Sequence, residues 1–348
     1  MARSDIKASR STPTINDVAA LAGVSKKTVS RFINNSPLVS ERLRKKIAAA
    51  VAELGYVPNP QARALALRRN FLLALLYDNP NGQTVLNFQK GVLSAIRDTD
   101  LALAVRPVDR RSDLLLEDIE TFLVKQRPLG VMLLPPISER DDIADLCKRL
   151  EIDYIRVGSA ILDEDSRCVA SNDREIVKQM IGALIAQGHK RIGFVRGPAG
   201  FRSPIEREAG FHDALREAAV KLDPDLVVLG NYRFDAGLEA GRKLLALAQR
   251  PTAVFASNDE MSAGVMHAAN ELAVQIPDEL AVVGFDNSAT ATHVWPALST
   301  VHWPIEQMGR LAAQKLVPGF VQLAPDAEEL KTVIISSHII ERKSAILS

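Results

Sequence analysis

Five polar side chains between residues 26 and 34 are spaced so that they fall on one face of a helix. They are Lys26, Lys27, Ser30, Arg31 and Asn34. The opposite face carries Val29, Phe32 and Ile33, which can pack against another element. Ammonium, guanidinium, hydroxyl and amide groups donate hydrogen bonds to base edges and phosphates. The spacing therefore predicts a helix with one packed side and one side free to contact a nucleic acid.

A second short helix must support this one. Thr14 is a candidate N-cap. The apolar positions after it follow the i, i+3, i+4, i+7 spacing of one helix face and are Ile15, Val18, Ala19 and Ala22. Gly23 then ends the first helix, and Ser25 can cap a new helix over residues 26–33. The layout is that of a helix-turn-helix, and the alternative is a helical hairpin with a solvated charged face.

The distribution of charge favours the first interpretation. Residues 1–69 contain 13 Lys and Arg against 4 Asp and Glu, a net charge of +9, whereas the remainder carries 30 against 38, a net charge of −8. A basic N-terminal region on an acidic body indicates that the N-terminal region alone binds a polyanion. A third helix should run from Ser40 to Gly55, and residues 1–12 should be a disordered leader.

The pattern changes after residue 70, where short apolar runs alternate with helix-length amphipathic stretches. The runs are residues 72–77, 101–105, 130–134, 154–157, 191–195, 226–229, 253–256 and 280–285. This alternation predicts an α/β core of two doubly wound parallel-sheet subdomains. The chain crosses back at residues 299–309 into a helix and then a late strand at 332–336.

These patterns give a division of the chain. We expect a DNA-binding domain at residues 13–57, a hinge segment at 58–70, an N-subdomain at about 71–170 and 302–331, and a C-subdomain at about 171–301 and 332–348.

Ligands of parallel sheets bind at the carboxyl ends of strands, so the polar residues that follow the apolar runs are candidates for a ligand site. They are Asp78, Asn79, Arg196, Ser257, Asn258, Asp259, Asp286 and Asn287. Carboxylate, amide and guanidinium groups are suited to holding a polyol, and Tyr232 or Trp295 could pack on the CH face of a sugar. Each of these residues could also be an ordinary helix cap, loop residue or core aromatic.

The segments TINDVAALAGVSKKTVSRFIN and VSERLRKKIAAAVAELGYVPNPQARALA resemble the headpiece of the lactose-repressor/galactose-repressor (LacI/GalR) family. The resemblance implies a DNA interface made of Thr14, Ser25, Lys26, Lys27, Thr28, Ser30, Arg31 and Asn34. It also implies that residues 59–67 form a hinge helix that folds on the operator. Asn59 and Ala62 would contact DNA there, and Leu65 would insert as an apolar wedge into the minor groove. An ordinary linker leucine is the alternative for Leu65.

The resemblance continues through the core, which is similar to the periplasmic sugar-binding fold that closes around a ligand. Four segments of the core resemble ligand-binding segments of the family. The first, GPAGFRSPIEREAGF, implies Arg207 as a pocket residue and leaves Arg202 open. The others are GNYRFDAG, which implies Tyr232, SNDEMSAG, which implies Asn258, and VVGFDN, which implies Asp286. With the strand-end argument, the expected effector site consists of Asp78, Asn79, Arg207, Tyr232, Asn258, Asp286 and Trp295. VASNDREI has Asn172-Asp173 where the family usually has Asp-Asn, which leaves the polar contact there open. YDNPNGQTVLNFQKG lacks the family's common Asn-Pro-aromatic-aromatic run, and because this loop faces the ligand in the family, the effector's identity does not transfer.

We therefore expect a transcriptional repressor that binds a pseudo-palindromic operator as a homodimer and is released by a small saccharide. Control in the opposite sense, by a corepressor, is the alternative within the family. A sugar-metabolising protein is the alternative outside it, but the six histidines lack metal-ligand spacing and no nucleophile elbow or phosphate-binding loop occurs. No catalytic, metal or cofactor site is predicted. The two cysteines are far apart, and no signal peptide or membrane-spanning run is evident, so we expect a cytoplasmic protein without disulfides.

Overall fold

The computed structural model describes residues 13–33, 36–57, 70–79, 81–318, 331 and 333–347. The chain forms two compact units, Met1–Asn70 and Phe71–Ser348. Four residues that the sequence nominates for DNA contact lie outside the described ranges, as do the predicted leader and nearly all of the predicted hinge segment. These four are Asn34, Asn59, Ala62 and Leu65. In the described ranges, no helix is both long and apolar enough to cross a membrane.

The described part of the first unit contains three helices, as the sequence predicts. They are α1 (Ile15–Leu21), α2 (Lys26–Ile33) and α3 (Glu41–Leu54). Gly23 follows α1 with φ +57° and Gly55 follows α3 with φ +60°, a conformation that glycine adopts without steric penalty. The small core contains one fully buried side chain from each helix: Val18, Val29 and Ile47.

The described part of the second unit contains two six-stranded sheets. The first sheet has the order β11 (Ile334–Ile335), β5 (Cys168–Ser171), β4 (Asp153–Gly158), β3 (Gly130–Leu133), β1 (Leu72–Tyr77) and β2 (Ala102–Pro107). The second has the order β12 (His338–Ile340), β10 (Ser299–His302), β9 (Ala281–Asp286), β8 (Ala253–Ala256), β6 (Ile192–Arg196) and β7 (Val227–Leu229). All neighbouring strands are parallel except the pair β10–β12. The expected pair of doubly wound sheets is confirmed.

Helices cover both sheets. They are α4 (Gly82–Ile96), α5 (Leu115–Gln126), α6 (Asp141–Arg149), α7 (Asp173–Ala186), α8 (Arg202–Glu217), α9 (Phe234–Leu245), α10 (Asp259–Glu271), α11 (Thr290–His293) and α12 (Ile305–Leu316). Leu73, Ala74, Leu75 and Leu76 of β1 are all fully buried, although they alternate between the two faces of the sheet. Burial of each leucine contributes about 1.5–3 kcal/mol, which is why such strands read as continuous apolar runs.

In the described ranges, three segments connect the two sheets, at residue 172, at residues 303–304 and at residues 336–337. Hydrogen bonds join these crossovers to one another. The indole Nε1–H of Trp303 donates to Oγ of Ser171 at 2.8 Å, and the backbone N–H of Ser337 donates to Oδ1 of Asn172 at 2.7 Å. The two lobes, one around each sheet, therefore share a hydrogen-bonded hinge made of these crossovers. This interlobe hinge is distinct from the predicted hinge segment at residues 58–70.

The prediction for the last strand is wrong in its placement. The sequence analysis assigned residues 332–336 to the C-subdomain, whereas β11 pairs with β5 at the edge of the first sheet. The chain returns to the second sheet only afterwards, as the short antiparallel strand β12. An apolar run predicts a strand but does not specify which open sheet edge it joins. Strands β5 and β10 also lie in segments that the apolar pattern did not mark as strands.

Helices α4 and α12 pack against each other where the chain returns to the first sheet. Their backbones approach closely at two glycines. A Cβ atom on Gly91 would lie 1.9 Å from the carbonyl oxygen of Glu306, and one on Gly309 would lie 2.3 Å from the carbonyl oxygen of Phe88. This close approach fixes α12 against α4 in the lobe of the first sheet.

We predict that Gly91→Ala lowers the free energy of unfolding by about 1–3 kcal/mol, because the added methyl group forces the two helix backbones apart. Gly182→Ala in α7 is the matched control, since a Cβ there meets nothing within 4 Å. That change should be neutral or stabilise the protein by up to about 1 kcal/mol through helix propensity. Urea unfolding measures both, and equal effects would contradict the close packing.

Candidate functional site

Helix α2 presents the predicted basic surface. Val29 is fully buried, whereas Lys26, Lys27 and Arg31 are exposed. No hydrogen bond or ion pair joins these three cationic side chains to another residue in the described part of the chain. Thr28 and Ser30, also nominated, are half-buried beside them. The helix thus has one packed face and one face with cationic donors available for a ligand.

The ends of the helices are fixed by local hydrogen bonds. Oγ of Ser25 accepts from the backbone N–H of Thr28 at 3.1 Å, so Ser25 caps α2 as predicted. The N–H and hydroxyl groups of Thr14 both donate to the carboxylate of Asp17 at 2.7 Å, and these bonds lower the pKa of Asp17. Arg44 of α3 donates to the carbonyl oxygens of Ser36 and Val39 at 2.6 and 3.2 Å. This arginine therefore holds the loop before α3.

A cavity lies in the second unit where the carboxyl ends of both sheets meet. Its space outside the protein atoms, open mouth included, is about 450 Å³. The lining residues are Asn79, Asn81, Thr84, Pro135, Ser159, Phe201, Ser203, Arg207, Tyr232, Asn258, Asp286 and Trp303. Apart from Asp286, which ends β9, each lies in the loop after a strand or in the first two turns of the helix that follows it. Open α/β sheets bind ligands at this position, because the loops from neighbouring strands diverge there.

Arg207 is the buried cation of this cavity, and its guanidinium is held on several sides. Nε donates to Oδ2 of Asp173 at 2.8 Å, and Nη1 donates to the carbonyl oxygen of Ser257. The guanidinium carbon lies 3.5 Å from the ring centre of Phe285. Arg207 is 3% exposed and Asp173 is fully buried, so each charge is compensated mainly by the other.

Asp286 and Tyr232 have strained backbone conformations, with φ +113° and +68°. In the described part of the chain, no group donates a hydrogen bond to the carboxylate of Asp286. Burial raises its pKa well above the usual range, although Arg207 lowers it. The amide of Asn258 donates to the backbone carbonyl of Tyr232 at 3.0 Å, and the Tyr232 hydroxyl lies 3.0 Å from Oγ of Ser203. Asp286 is thus an acceptor open to a ligand, and Tyr232 is fixed as part of the wall.

The two lobes also contact each other across the cleft beside the cavity. Oε2 of Glu139 accepts from the backbone N–H of Arg202 at 2.8 Å, at the start of α8. The guanidinium carbon of Arg110 lies 4.4 Å from the ring centre of Phe201. Glu139 and Arg110 belong to the first lobe, and Phe201 and Arg202 belong to the second. Helix α8, which carries Arg207, is therefore attached directly to the opposite lobe.

The structure brings together five of the seven predicted effector residues, which are Asn79, Arg207, Tyr232, Asn258 and Asp286. Asp78 lies outside the cavity, where it accepts from the backbone N–H of Arg110 at 3.1 Å and lines an outer part of the cleft. The prediction for Trp295 is wrong, because this residue is 86% exposed, whereas Trp303 is 7% exposed and lines the cavity.

Sequence reasoning missed Trp303 because it read residues 299–309 as a crossover and did not recognise the strand that Trp303 follows. It also left the Asn172-Asp173 pair in doubt. In the structure Asn172 holds the hinge and Asp173 pairs with Arg207.

The two tryptophans of the chain offer a direct check of this correction. The fluorescence of Trp295→Phe, which retains only the buried Trp303, should be quenched far less by acrylamide than that of Trp303→Phe. The reason is that a quencher in water reaches an exposed indole more readily than a buried one. Similar Stern–Volmer constants for the two variants would refute the assignment of Trp303 to the cavity wall.

Known proteins match both units. A model described as bacterial regulatory proteins, lacI family, matches residues 14–59, and a periplasmic binding protein-like domain matches residues 181–345. The probable HTH-type transcriptional repressor ExuR of Bacillus subtilis (strain 168) is 33% identical over 323 residues, which cover 91% of this chain and 94% of the relative.

Two solved structures share the architecture. The transcriptional regulator CelR in complex with cellobiose has a TM-score of 0.69 at 31% identity and covers 96% of this chain and 100% of its own. The Lac repressor dimer bound to operator and the anti-inducer ONPF has a TM-score of 0.76 at 24% identity and covers 96% and 99%, which shows the shared fold. These similar proteins are transcriptional regulators rather than enzymes. Given this headpiece, this pair of sheets and this identity over nearly the whole length, the chain belongs to the lacI family of bacterial regulatory proteins.

Proposed function

We propose that the protein is a sequence-specific transcriptional repressor that a small saccharide releases from its operator. The exposed cationic face of α2 carries this proposal. Lys26, Lys27 and Arg31 point away from the headpiece core without a partner in the described part of the chain, on a helix whose other face is packed. A helix of this kind fits the major groove, where its side chains read base edges.

The cavity supports a saccharide as the effector. Phe201, Tyr232 and Trp303 supply flat apolar surfaces, and Asp286 supplies an acceptor that two neighbouring hydroxyl groups could share. Hydroxyl donors on a ligand would replace the water that the Asp286 carboxylate loses on burial. The relative CelR was solved in complex with cellobiose.

Release follows if the saccharide binds one arrangement of the lobes better than the other, since a ligand shifts an equilibrium only through differential affinity. The contacts of Glu139 and Arg110 with Phe201 and Arg202 support such a mechanism, because opening the cleft breaks them. Corepression, in which the ligand tightens DNA binding, is the second candidate and uses the same elements with the opposite sign. We also propose a cytoplasmic location, where the operator lies.

Fluorescence anisotropy of a labelled duplex from the gene's own upstream region tests the proposal, at fixed salt and with a panel of mono- and disaccharides. We expect specific binding and its loss with at least one sugar. Tighter binding with a sugar would replace induction by corepression. Absence of specific binding under every condition would refute the DNA-binding assignment.

Two substitutions separate the sites in this assay. Lys27→Ala should reduce discrimination between operator bases by about 1–3 kcal/mol. Lys221→Ala, which alters an exposed lysine of the second unit, should not. Asp286→Asn should bind the operator normally but need roughly tenfold more effector, because a hydrogen bond to a carboxylate contributes about 1.5–3 kcal/mol. A normal effector response in Asp286→Asn would exclude this cavity as the effector site.

A pseudo-palindromic operator requires two copies of α2, and we propose that the core pairs them. Leu86 and Leu93 lie seven residues apart on one face of α4 and are 47% and 49% exposed. Helix α4 contacts β2, an edge strand that exposes Val105. Exposed apolar side chains grouped in this way favour a protein interface.

Leu93→Glu should therefore shift the protein from dimer to monomer in sedimentation velocity, because it places a charge within the apolar contact. Leu272→Glu alters a leucine that is equally exposed, at 51%, in the other lobe and serves as the control. A dimer that persists in Leu93→Glu, or that dissociates in both variants, would place the interface elsewhere.

A further inference from the structure

The cavity wall contains one cation and one carboxylate among its described lining residues, Arg207 and Asp286. A second carboxylate, that of Asp173, lies directly behind Arg207. An arginine in a sugar pocket would ordinarily attract an acidic ligand, since guanidinium binds carboxylate and phosphate in a fork. The position of Asp173 decides whether Arg207 can do so here.

Asp173 is bound entirely to the protein. Oδ2 accepts from Nε of Arg207 at 2.8 Å and from Oγ of Ser159 at 2.9 Å, while Oδ1 accepts from Oγ of Ser171 at 2.5 Å. The residue has no exposed surface. Because both side chains are buried, water screens the pair only weakly, and the negative charge of Asp173 acts strongly on Arg207. A ligand therefore meets a guanidinium whose charge is already neutralised.

A bound carboxylate would have no uncompensated cation to pair with in this wall. It would instead lie one guanidinium away from the buried charge of Asp173. Like charges brought together in a dry site cost several kcal/mol. Hydroxyl groups avoid this penalty, because they accept from the remaining N–H groups of Arg207 and donate to Asp286.

We propose that Asp173 determines the charge selectivity of the cavity: by neutralising Arg207 it makes the site accept uncharged saccharides and reject those that carry a carboxylate. This inference rests on the proposed function, because it concerns the same effector site. Asp173 itself is shielded by Arg207, Ser159 and Ser171 and acts on the ligand through Arg207.

Calorimetric titration of the full-length protein with matched pairs tests the inference. Each pair consists of a neutral aldose or disaccharide and the corresponding uronic or aldonic acid, which is ionised at neutral pH. The wild type should bind at least one neutral member roughly tenfold or more tighter than its acid. In Asp173→Asn the ratio should move toward the acid by roughly tenfold or more, because Arg207 is then uncompensated. A purely structural role would weaken both members of a pair alike.

Two further variants control the comparison. Asp213 lies on α8, the helix that carries Arg207, and pairs with Arg174 of α7 at 2.6 Å outside the cavity. Asp213→Asn removes this carboxylate and should leave the ratio unchanged. The double variant Asp173→Asn with Arg207→Gln removes both charges and should keep the preference for neutral ligands. It also provides the test if the single variant, with its unpaired buried arginine, does not fold.

The outcomes separate this inference from the proposed function. A wild type that binds acids as tightly as neutral sugars, an Asp173→Asn variant with an unchanged ratio, or a double variant that prefers acids overturns the role of Asp173. If acids bind and also release the operator, the repressor function stands without that role. If no sugar of either class binds, both the saccharide effector and this inference fail.

Discussion

The buried guanidinium of Arg207 is the constraint on which the ligand-binding unit depends. Removing such a charge from water costs several kcal/mol unless a partner replaces the lost hydration. Asp173 is that partner, and its own burial requires the hydroxyl groups of Ser159 and Ser171. Ser171 in turn accepts from the indole of Trp303. One charge thereby connects a wall of the cavity with two of the three segments that join the lobes.

These linked hydrogen bonds couple the cavity wall to the crossovers between the two lobes. A ligand that displaces Arg207 changes the hydrogen bonds available to Asp173, and these belong to residues at the crossovers. Asn172 adds the third crossover, through its bond from Ser337. A ligand that binds unequally to different arrangements of these crossovers would meet the requirement for allosteric control.

The sequence could predict the elements whose physics is local. Residues 72–77 and 253–256 are buried on both faces of a sheet, so their apolar runs mark β1 and β8 to the residue. Helix α2 is also recovered fully, because a cap, a glycine break and an apolar period all agree. Trp303 was missed because β10 is short and contains Ser, Thr and His, so apolar pattern alone does not mark it. The role of Asp173 depends on a residue 34 positions away, and nothing local specifies such a pairing.

The interleaved order of the strands has a consequence for biosynthesis. The first sheet begins at residue 72 but receives its edge strand β11 from residues 334–335, and the second sheet receives β12 only from residues 338–340. On a ribosome that releases the chain from its N-terminus, neither lobe has its full set of strands until nearly the whole core has emerged. The described core of the helical headpiece, by contrast, lies entirely within residues 15–56. A nascent chain can therefore present a folded DNA-reading surface well before it can present a completed ligand cavity.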